Sequence, residues 1–494
     1  MATTVAPTDL AEAHDAAPDD GTAAKRSPWY GDGLGLLLAG ALAFVAARPI
    51  VDNSFLTHLA TGRVMLETGF PRSNPFLYSS TDFPIPSWWW SAVLGLVDQV
   101  AGGAGIRLLT MAMAAALGAL VVRLARPGST SDASPGVLSI VLPVTCVFIT
   151  LMPFLNARPQ LPGYLMLGLT VLVVRERRSP WWLVPVFMTW VNIHGTWFYG
   201  LAVLVLLLVC QAIDDRRIEW RQAALGATAL LGIIAGGALY PEPFRLVGLP
   251  FEQFGDERAR TALSLYMEWS PSGWGHPLTW LLVAMGLVAV VGAVRRRAWG
   301  SLLGTVALVT MGLSAGRLLP LAAITLVPWV ASGLAGLGSL SLPRGRVAAG
   351  IAVAGGCLLA LGVVWSVRPP AYNMERYPVA AVDWLSERDL VAQPDVKVAS
   401  HDFVGNYLDW RFGDRANTFV DDRSGVDALL DYAALRRLTD EWPQALDRAD
   451  PDVVVWETDQ DLTERLAGSD DWYDAGSFGD FTVFCRSPIA DRCR

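Results

Sequence analysis

The sequence predicts a mainly α-helical, polytopic membrane bundle of about 11 transmembrane helices, followed by a C-terminal α/β soluble domain. Three observations carry this expectation. Hydrophobic residues make up 53% of the 494 residues and charged residues 17%, and the mean hydropathy is +0.38, a balance typical of membrane proteins. Many segments of about 18 to 20 residues carry no charge, which is the length a bilayer core demands. Basic clusters recur between these segments, as the positive-inside rule requires. The net charge of -8 comes mostly from the Asp-rich C-terminal part and gives no ground for nucleic-acid binding.

Residues 1–30 read as a disordered cytoplasmic tail, because their first 27 residues are polar and rich in Ala, Asp, Thr and Pro. No apolar stretch lies there, so no cleavable signal peptide is expected and the first span acts as an uncleaved anchor. The transmembrane domain is placed at 31–368. Its spans are expected at 32–50, 104–125, 136–154, 160–175, 180–194, 197–213, 222–240, 277–294, 299–314, 318–338 and 347–367. With the N-terminus cytoplasmic, this arrangement puts the clusters at Lys25-Arg26, Arg123/Arg126, Arg175-Arg177-Arg178, Arg216-Arg217-Arg221, Arg295-Arg296-Arg297 and Arg344-Arg346 on one side of the plasma membrane. The opposite side receives the first outer loop, 51–103. It also receives the turns "NARPQ", "NIHG" and "SAGR", the long loop 241–276 and the C-terminal domain. The condition is that "PSWWWSAVLGLVDQVAGG" (86–103) does not cross. It contains Asp98 and Gln99 and opens on three Trp, so it is expected to be an interfacial or re-entrant helix.

The extracytoplasmic domain is placed at 369–494. "VKVAS", "NTFVDD", "DVVVWET" and "FTVFCR" read as strands. "PVAAVDWLSE", "GVDALLDYAALRRLTDEW" and "DLTERLAG" read as helices, which together suggest a small α/β sandwich. No Gly-rich phosphate loop follows a strand. Cys146, Cys210 and Cys357 lie in apolar runs and read as packing residues. Cys485 and Cys493 can pair if this domain lies outside the cytoplasm. No Cys pair and no acidic set has metal-ligand spacing, so a divalent metal is not required by the sequence.

Five features gather on the expected outer face: Asp52 with the loop behind it, "NARPQ", "NIHGTW", "GDERAR" and "SAGR". Charged residues at a membrane edge are costly unless solvated or paired, so each is a functional candidate. The plain alternative is that each arginine snorkels to the interface. Residues 53–68 mix Phe55, Leu59, Val64, Met65 and Leu66 with His58, Arg63 and Glu67. They read as a helix lying on the membrane with its polar residues free to face a cavity, or as an amphipathic linker. "FPRSNPFLYSS", which contains Asn74, is a turn cluster. In "TFVDDRSG", Asp421 and Asp422 read as solvated acids at a strand end in preference to a sugar or cation site.

The form "D…HLATGR…LETGFPRSNPF", the helix opening on "PSWWWS", and the motifs "ARPQLPGYL" and "VNIHGTWFYGL" resemble the GT-C superfamily of membrane glycosyltransferases. The nearest likeness is to uncharacterised bacterial GT-C-like membrane proteins, and more distantly to protein O-mannosyltransferases and aminoarabinose transferases. The C-terminal "GNYLDWRF…NTFVDDR" resembles the outer domain of those uncharacterised proteins, and the "WWDYG" signature of oligosaccharyltransferases is missing. The resemblance implies an inverting transfer of a sugar from a polyprenyl-phosphate donor to an extracytoplasmic acceptor (glycan, lipid or protein), with Asp52 as base. Arg158, His194 and Arg317 are then expected to bind the donor phosphate. His58, Arg63, Asn74, Trp197, Arg258 and Arg260 are expected to touch substrate. Expected partners are membrane lipid, the lipid-linked sugar, the acceptor and a protein bound through the C-terminal domain. Asp52 departs from the family pattern, because Asn53 and Ser54 follow it where many members carry a second acid. That departure keeps a non-catalytic scaffold or lipid-binding subunit of an envelope assembly complex as the alternative. A transporter is disfavoured because no internal repeat is found.

Overall fold

The computed structural model describes residues 29–82, 84–126, 136–264, 267–335 and 345–494. Helix α1 spans Trp29–Ala46, α2 Ser54–Thr68, α3 Trp88–Ala125, α4 Val137–Leu151, α5 Gln160–Arg175, α6 Leu183–Ile193 and α7 Trp197–Asp215. Helix α8 spans Trp220–Ala238, α9 Arg245–Gly255, α10 Glu257–Ser264, α11 Pro277–Arg296, α12 Trp299–Ser314, α13 Leu319–Leu334 and α14 Arg346–Ser366. Each of the eleven expected spans carries a helix. Among the described residues, six apolar helical segments are long enough to cross a membrane: Trp88–Ala125, Val137–Phe154, Trp197–Asp215, Pro277–Arg296, Gly316–Leu334 and Arg346–Ser366. Gly33–Ala46, Gln160–Arg175 and Trp299–Ser314 are shorter apolar helices. The tail 1–28 and the cluster residue Arg344 lie outside the described residues.

The first outer loop is ordered by close packing. Helix α2 crosses α3 at Gly62 and Gly95, where a Cβ on Gly62 would collide with the Ser91 carbonyl. Segment 86–103 is continuous with the following span. The two form one helix, α3, which breaks at Gly102 with φ 58°, a value glycine adopts without steric cost. The three tryptophans of this segment are partly or fully packed. Trp90 is 1% exposed, and its indole N–H donates to Ala157 O at 2.7 Å. Trp88 Nε1 donates to Asn192 Oδ1 at 2.7 Å. A buried indole needs an acceptor, and here the acceptors belong to "NARPQ" and "NIHG". "PSWWWS" therefore holds both motifs in place.

The C-terminal domain contains α15 Val379–Glu387, α16 Asp402–Phe412, α17 Val426–Arg437, α18 Trp442–Ala449, α19 Asp461–Ala467 and α20 Ala490–Cys493. Its strands are β1 Val398–Ser400, β2 Val453–Glu457, β3 Trp472–Phe478 and β4 Phe481–Arg486, in the order β1-β2-β4-β3. β1 and β2 are parallel, and the other two pairings are antiparallel. "NTFVDD" is not a strand. Thr418 makes isolated bridges to Leu77 and Val398, and the chain turns at Asp421. The single helix expected over "GVDALLDYAALRRLTDEW" is two helices, because Leu438 takes a left-handed φ of 47° and Pro443 lies in the first turn of the next. β3 escaped notice because "WYDAGSF" has no clean alternation and is irregular at Asp474/Gly476. Cys485 and Cys493 form a disulfide.

Two backbone bridges join the first loop to this domain, Ile50↔Tyr372 and Leu77↔Thr418. A single apolar core runs from Phe55, Leu59, Trp90 and Ile106 into Val382, Val398, Val453 and Val483. The fully buried Arg107 of α3 strengthens the joint. It donates to Ala47 O at 2.9 Å, Trp365 O at 2.8 Å, Arg368 O at 2.6 Å and Pro370 O at 3.3 Å. These carbonyls lie at the C-terminal ends of α1 and α14, where helix carbonyls lack intrahelical partners and the dipole favours a cation. The sequence reading passed over this residue as one charge within a span. Arg107→Met is expected to leave buried carbonyls unpaired and to cost at least about 3 kcal/mol. Thermal unfolding of the detergent-solubilised protein checks this, and an unchanged transition would remove Arg107 from the joint.

Candidate active site

A cavity of about 500 Å³ lies between the helical bundle and the C-terminal domain. That volume falls in the range of small-molecule sites. On the bundle side its wall includes Arg158, His194, Trp197, Glu268, Trp269 and Arg317. Asp402, Asp422, Arg423, Arg376 and Arg436 face it from the domain, and Ser54 and His58 from α2.

Arg158 is the hub. It projects from the "NARPQ" turn just before Pro159, the N-cap of α5. Its Nε donates to Asp52 Oδ1 at 2.6 Å, and its Nη1 pairs with Glu268. Its side chain is 15% exposed and that of Asp52 is 7% exposed. Burial by itself lowers the guanidinium's pKa, but Asp52, Glu268 and Asp422 together raise it above its ordinary value. The Asp52 carboxylate also accepts the Phe55 backbone N–H at 3.1 Å, in the first turn of α2, and the Asn156 amide at 3.4 Å. It lies behind the cavity wall, gripped on both oxygens.

Arg317 approaches from "SAGR". Its guanidinium stacks over the Trp269 ring at 4.4 Å and lies 3.9 Å from Glu268. Its Nε has no hydrogen-bond partner among the described residues. The short helix Met267–Trp269 is held against this turn by Ser272 N to Leu313 O at 3.0 Å and Gly316 N to Ser270 O at 3.1 Å. One carboxylate, Glu268, thus serves two arginines, and neither is saturated by it.

His194 is not a cation here. Burial pushes its pKa well down, and Arg317 and Arg158 push it further. Its Nδ1 accepts the Thr196 backbone N–H at 3.2 Å and lies 2.8 Å from Thr196 Oγ1, which leaves Nε2–H as the donor. His58 is likewise neutral, lowered by burial and then by Arg423, His194 and Arg158, and its Nδ1 lies 3.2 Å from Ser91 Oγ.

The structure therefore brings Arg158, His194, Arg317, His58 and Trp197 to one cavity, with Asp52 behind Arg158. The other sequence candidates are placed elsewhere. Arg63 pairs with Asp98 at 2.7 Å and caps Trp410 O at 3.2 Å, bracing α2 against α3 and α16. Asn74 Oδ1 accepts the Phe76 and Leu77 backbone N–H groups and shapes the turn. Arg258 pairs with exposed Asp427 at 2.6 Å, and Arg260 donates to Phe254 O at 2.8 Å.

Glu268 was missed, and Asp422 was named but read as a solvated acid. Glu268 sat in a long loop with nothing to mark it. "TFVDDRSG" was noticed and read as solvated, but Asp421 is fully buried. Its Oδ1 accepts the Arg423 N–H at 2.7 Å, and its backbone N–H donates to Ser424 Oγ at 2.8 Å. That turn presents Asp422 to the cavity. Asp409, also fully buried, lies against Asp421 and takes the Thr418 hydroxyl at 3.3 Å. Burial, and then Asp421, hold its pKa well above the ordinary value. Two carboxyls in such a place share one proton, with Asp409 as the protonated partner. Among the described residues no group of three or more His, Cys, Asp or Glu is arranged to hold a metal ion.

In fold, the chain is similar to the archaeal oligosaccharyltransferase AglB from Archaeoglobus fulgidus in complex with an inhibitory peptide and a dolichol-phosphate. The TM-score is 0.50 at 11% sequence identity, over 92% of this chain and 74% of that one. The Archaeoglobus fulgidus oligosaccharyltransferase in complex with Zn and sulfate gives 0.47 at 11% identity, over 85% and 68%, and its apo form 0.45 at 12%, over 86% and 69%. No protein-family model matches the chain, and no curated protein matches it in sequence. The likeness is one of fold.

The shared proton gives a direct test of the turn that carries Asp422. Asp409→Asn keeps a donor toward Asp421 and is expected to change stability by less than about 1 kcal/mol. Asp409→Leu removes that donor beside a buried carboxylate and is expected to cost about 3 kcal/mol. Chemical unfolding of the two variants checks the order.

Proposed function

We propose that this protein is a membrane glycosyltransferase that moves a sugar, with inversion, from a polyprenyl-phosphate donor to an acceptor on the outer side of the plasma membrane. The observation that carries the reading is the pair of arginines on one cavity. Arg158 and Arg317 come from separate turns, share Glu268, and leave Arg317 Nε without a hydrogen-bond partner among the described residues. A phosphate would satisfy both, because guanidinium groups bind such oxyanions with paired donors. His194 Nε2–H would add a neutral donor. As the bond from sugar to phosphate breaks, negative charge grows on the phosphate, and these groups would stabilise it.

Three further observations support the reading. The fold is that of a protein solved with dolichol-phosphate, a polyprenyl phosphate. An apolar groove lined by Phe198, Leu201, Ala202, Val205, Leu206 and Val209 runs along α7 and shares Phe198 with the cavity, a path suited to a polyprenyl tail. The disulfide Cys485–Cys493 suits a C-terminal domain outside the cytoplasm. Asp52 is assigned here to holding Arg158, since its carboxylate is already engaged. The alternative is a lipid-binding subunit without catalysis. It draws on the same engagement, because Asp52 and Glu268 are both tied to arginine.

Full-length protein in nanodiscs is expected to bind polyprenyl phosphate. Arg158→Gln and Arg317→Gln are each expected to weaken that binding about 10-fold or more, the scale of a lost charge-assisted contact. Arg258→Gln, on the exposed loop, is expected to bind as the native protein does. Equal affinity across all three variants would contradict the assignment.

A further inference from the structure

We propose that Asp422, presented by the C-terminal domain, is the base that takes the proton from the acceptor hydroxyl. This rests on the transferase reading above. Three carboxylates line the cavity among the described residues: Glu268, Asp402 and Asp422. Glu268 is shared by Arg158 and Arg317. Asp402 takes the Tyr432 hydroxyl at 3.1 Å. Asp422 has no ion-pair partner within 4.0 Å among the described residues, and it faces the Ser54 hydroxyl and the Asn406 amide. It is near enough to Arg158 to act on its charge. An acceptor held beside Ser54 would therefore stand between this carboxylate and the arginine end of the cavity.

The placement is rigid. The Asp422 backbone N–H donates to Asn406 Oδ1 at 3.0 Å, and the same oxygen takes the Thr57 hydroxyl of α2 at 2.5 Å. The buried Asp421 fixes the turn on the other side. A base needs a positioned carboxylate that no cation has claimed, and Asp422 meets both conditions where Asp52 meets one.

The step balances simply. The acceptor oxygen forms a bond to the anomeric carbon while the bond from that carbon to the donor phosphate oxygen breaks. The bonding pair leaves on the phosphate, facing Arg158 and Arg317. The acceptor proton passes to Asp422, which later releases it to solvent.

Burial lifts the Asp422 carboxyl to about 6 against the pull of Arg158, with Asp402 adding to the rise. The titratable and charged groups around it are His58 on α2, Arg158, Tyr377, Asp402 on α16 and Arg423. His58 and His194 are held neutral well below this range, so neither supplies a step near pH 6. Asp422 must be ionised to accept a proton. Transfer is therefore expected to fall as pH drops through about 6.

The test uses full-length protein in proteoliposomes with polyprenyl-phosphate hexoses labelled in the sugar. Envelope fractions from a strain lacking the gene serve as acceptor. Asp422→Asn is expected to lower the maximal rate about 10²-fold or more, to lose the acid limb of the pH profile, and to bind polyprenyl phosphate as before. Asp422→Glu is expected to recover part of the rate with a shifted acid limb. Asp52→Asn is expected instead to weaken lipid-phosphate binding. Native-like transfer and pH profile in Asp422→Asn would overturn this assignment and leave the transferase reading standing. If the native protein binds polyprenyl phosphate but transfers no label, the transferase reading fails and the assignment falls with it.

Discussion

Everything at the cavity depends on the ion pair between Arg158 and Asp52. An arginine at this depth is costly without a partner, and removing one member of a buried pair costs about 3–5 kcal/mol. Asp52 meets that cost from just before α2, where the Phe55 N–H of the helix's first turn and the Asn156 amide fix its carboxylate. The guanidinium is thereby aimed at Glu268 and the cavity. Arg317, stacked on Trp269, meets the same glutamate. The result is two guanidinium groups held in place by carboxylates before any ligand arrives, the pre-organisation that electrostatic stabilisation of an anion requires.

The second structural fact is that two domains build one site. The C-terminal domain is tied to the first outer loop by backbone bridges at Ile50 and Leu77 and by a common apolar core. Arg107 closes the joint from beneath, at the ends of α1 and α14. This rigidity brings Asp422 beside Ser54, although they are far apart in the chain. The two arginines come from the bundle and Asp422 comes from the domain.

The mainly helical character with apolar helices was legible in the sequence because apolar run length records the bilayer directly. Arg158, His194 and Arg317 were legible for a related reason: polar residues at the ends of apolar runs stand out against the cost of placing them there. Arg63, Asn74, Arg258 and Arg260 looked the same in one dimension, yet each meets a local partner such as Asp98 or Asp427. Glu268 lay in a polar loop where an acid carries no surprise. Asp421 and Asp422 were read as solvated because burial by another domain leaves no periodic trace. The partners of Trp88 and Trp90 were not legible, because nothing local reveals that Asn192 and Ala157 accept their N–H groups.

The central claim is that the two arginines receive a lipid-borne phosphate. The most direct measurement is a structure of the full chain in a lipid nanodisc saturated with polyprenyl phosphate. The account predicts phosphate density touching Arg158, Arg317 and His194 Nε2, with Glu268 turned away from at least one arginine and the tail leaving past Phe198 along α7. Headgroup density elsewhere, with the Glu268 bridge to Arg158 and Arg317 intact, would contradict it.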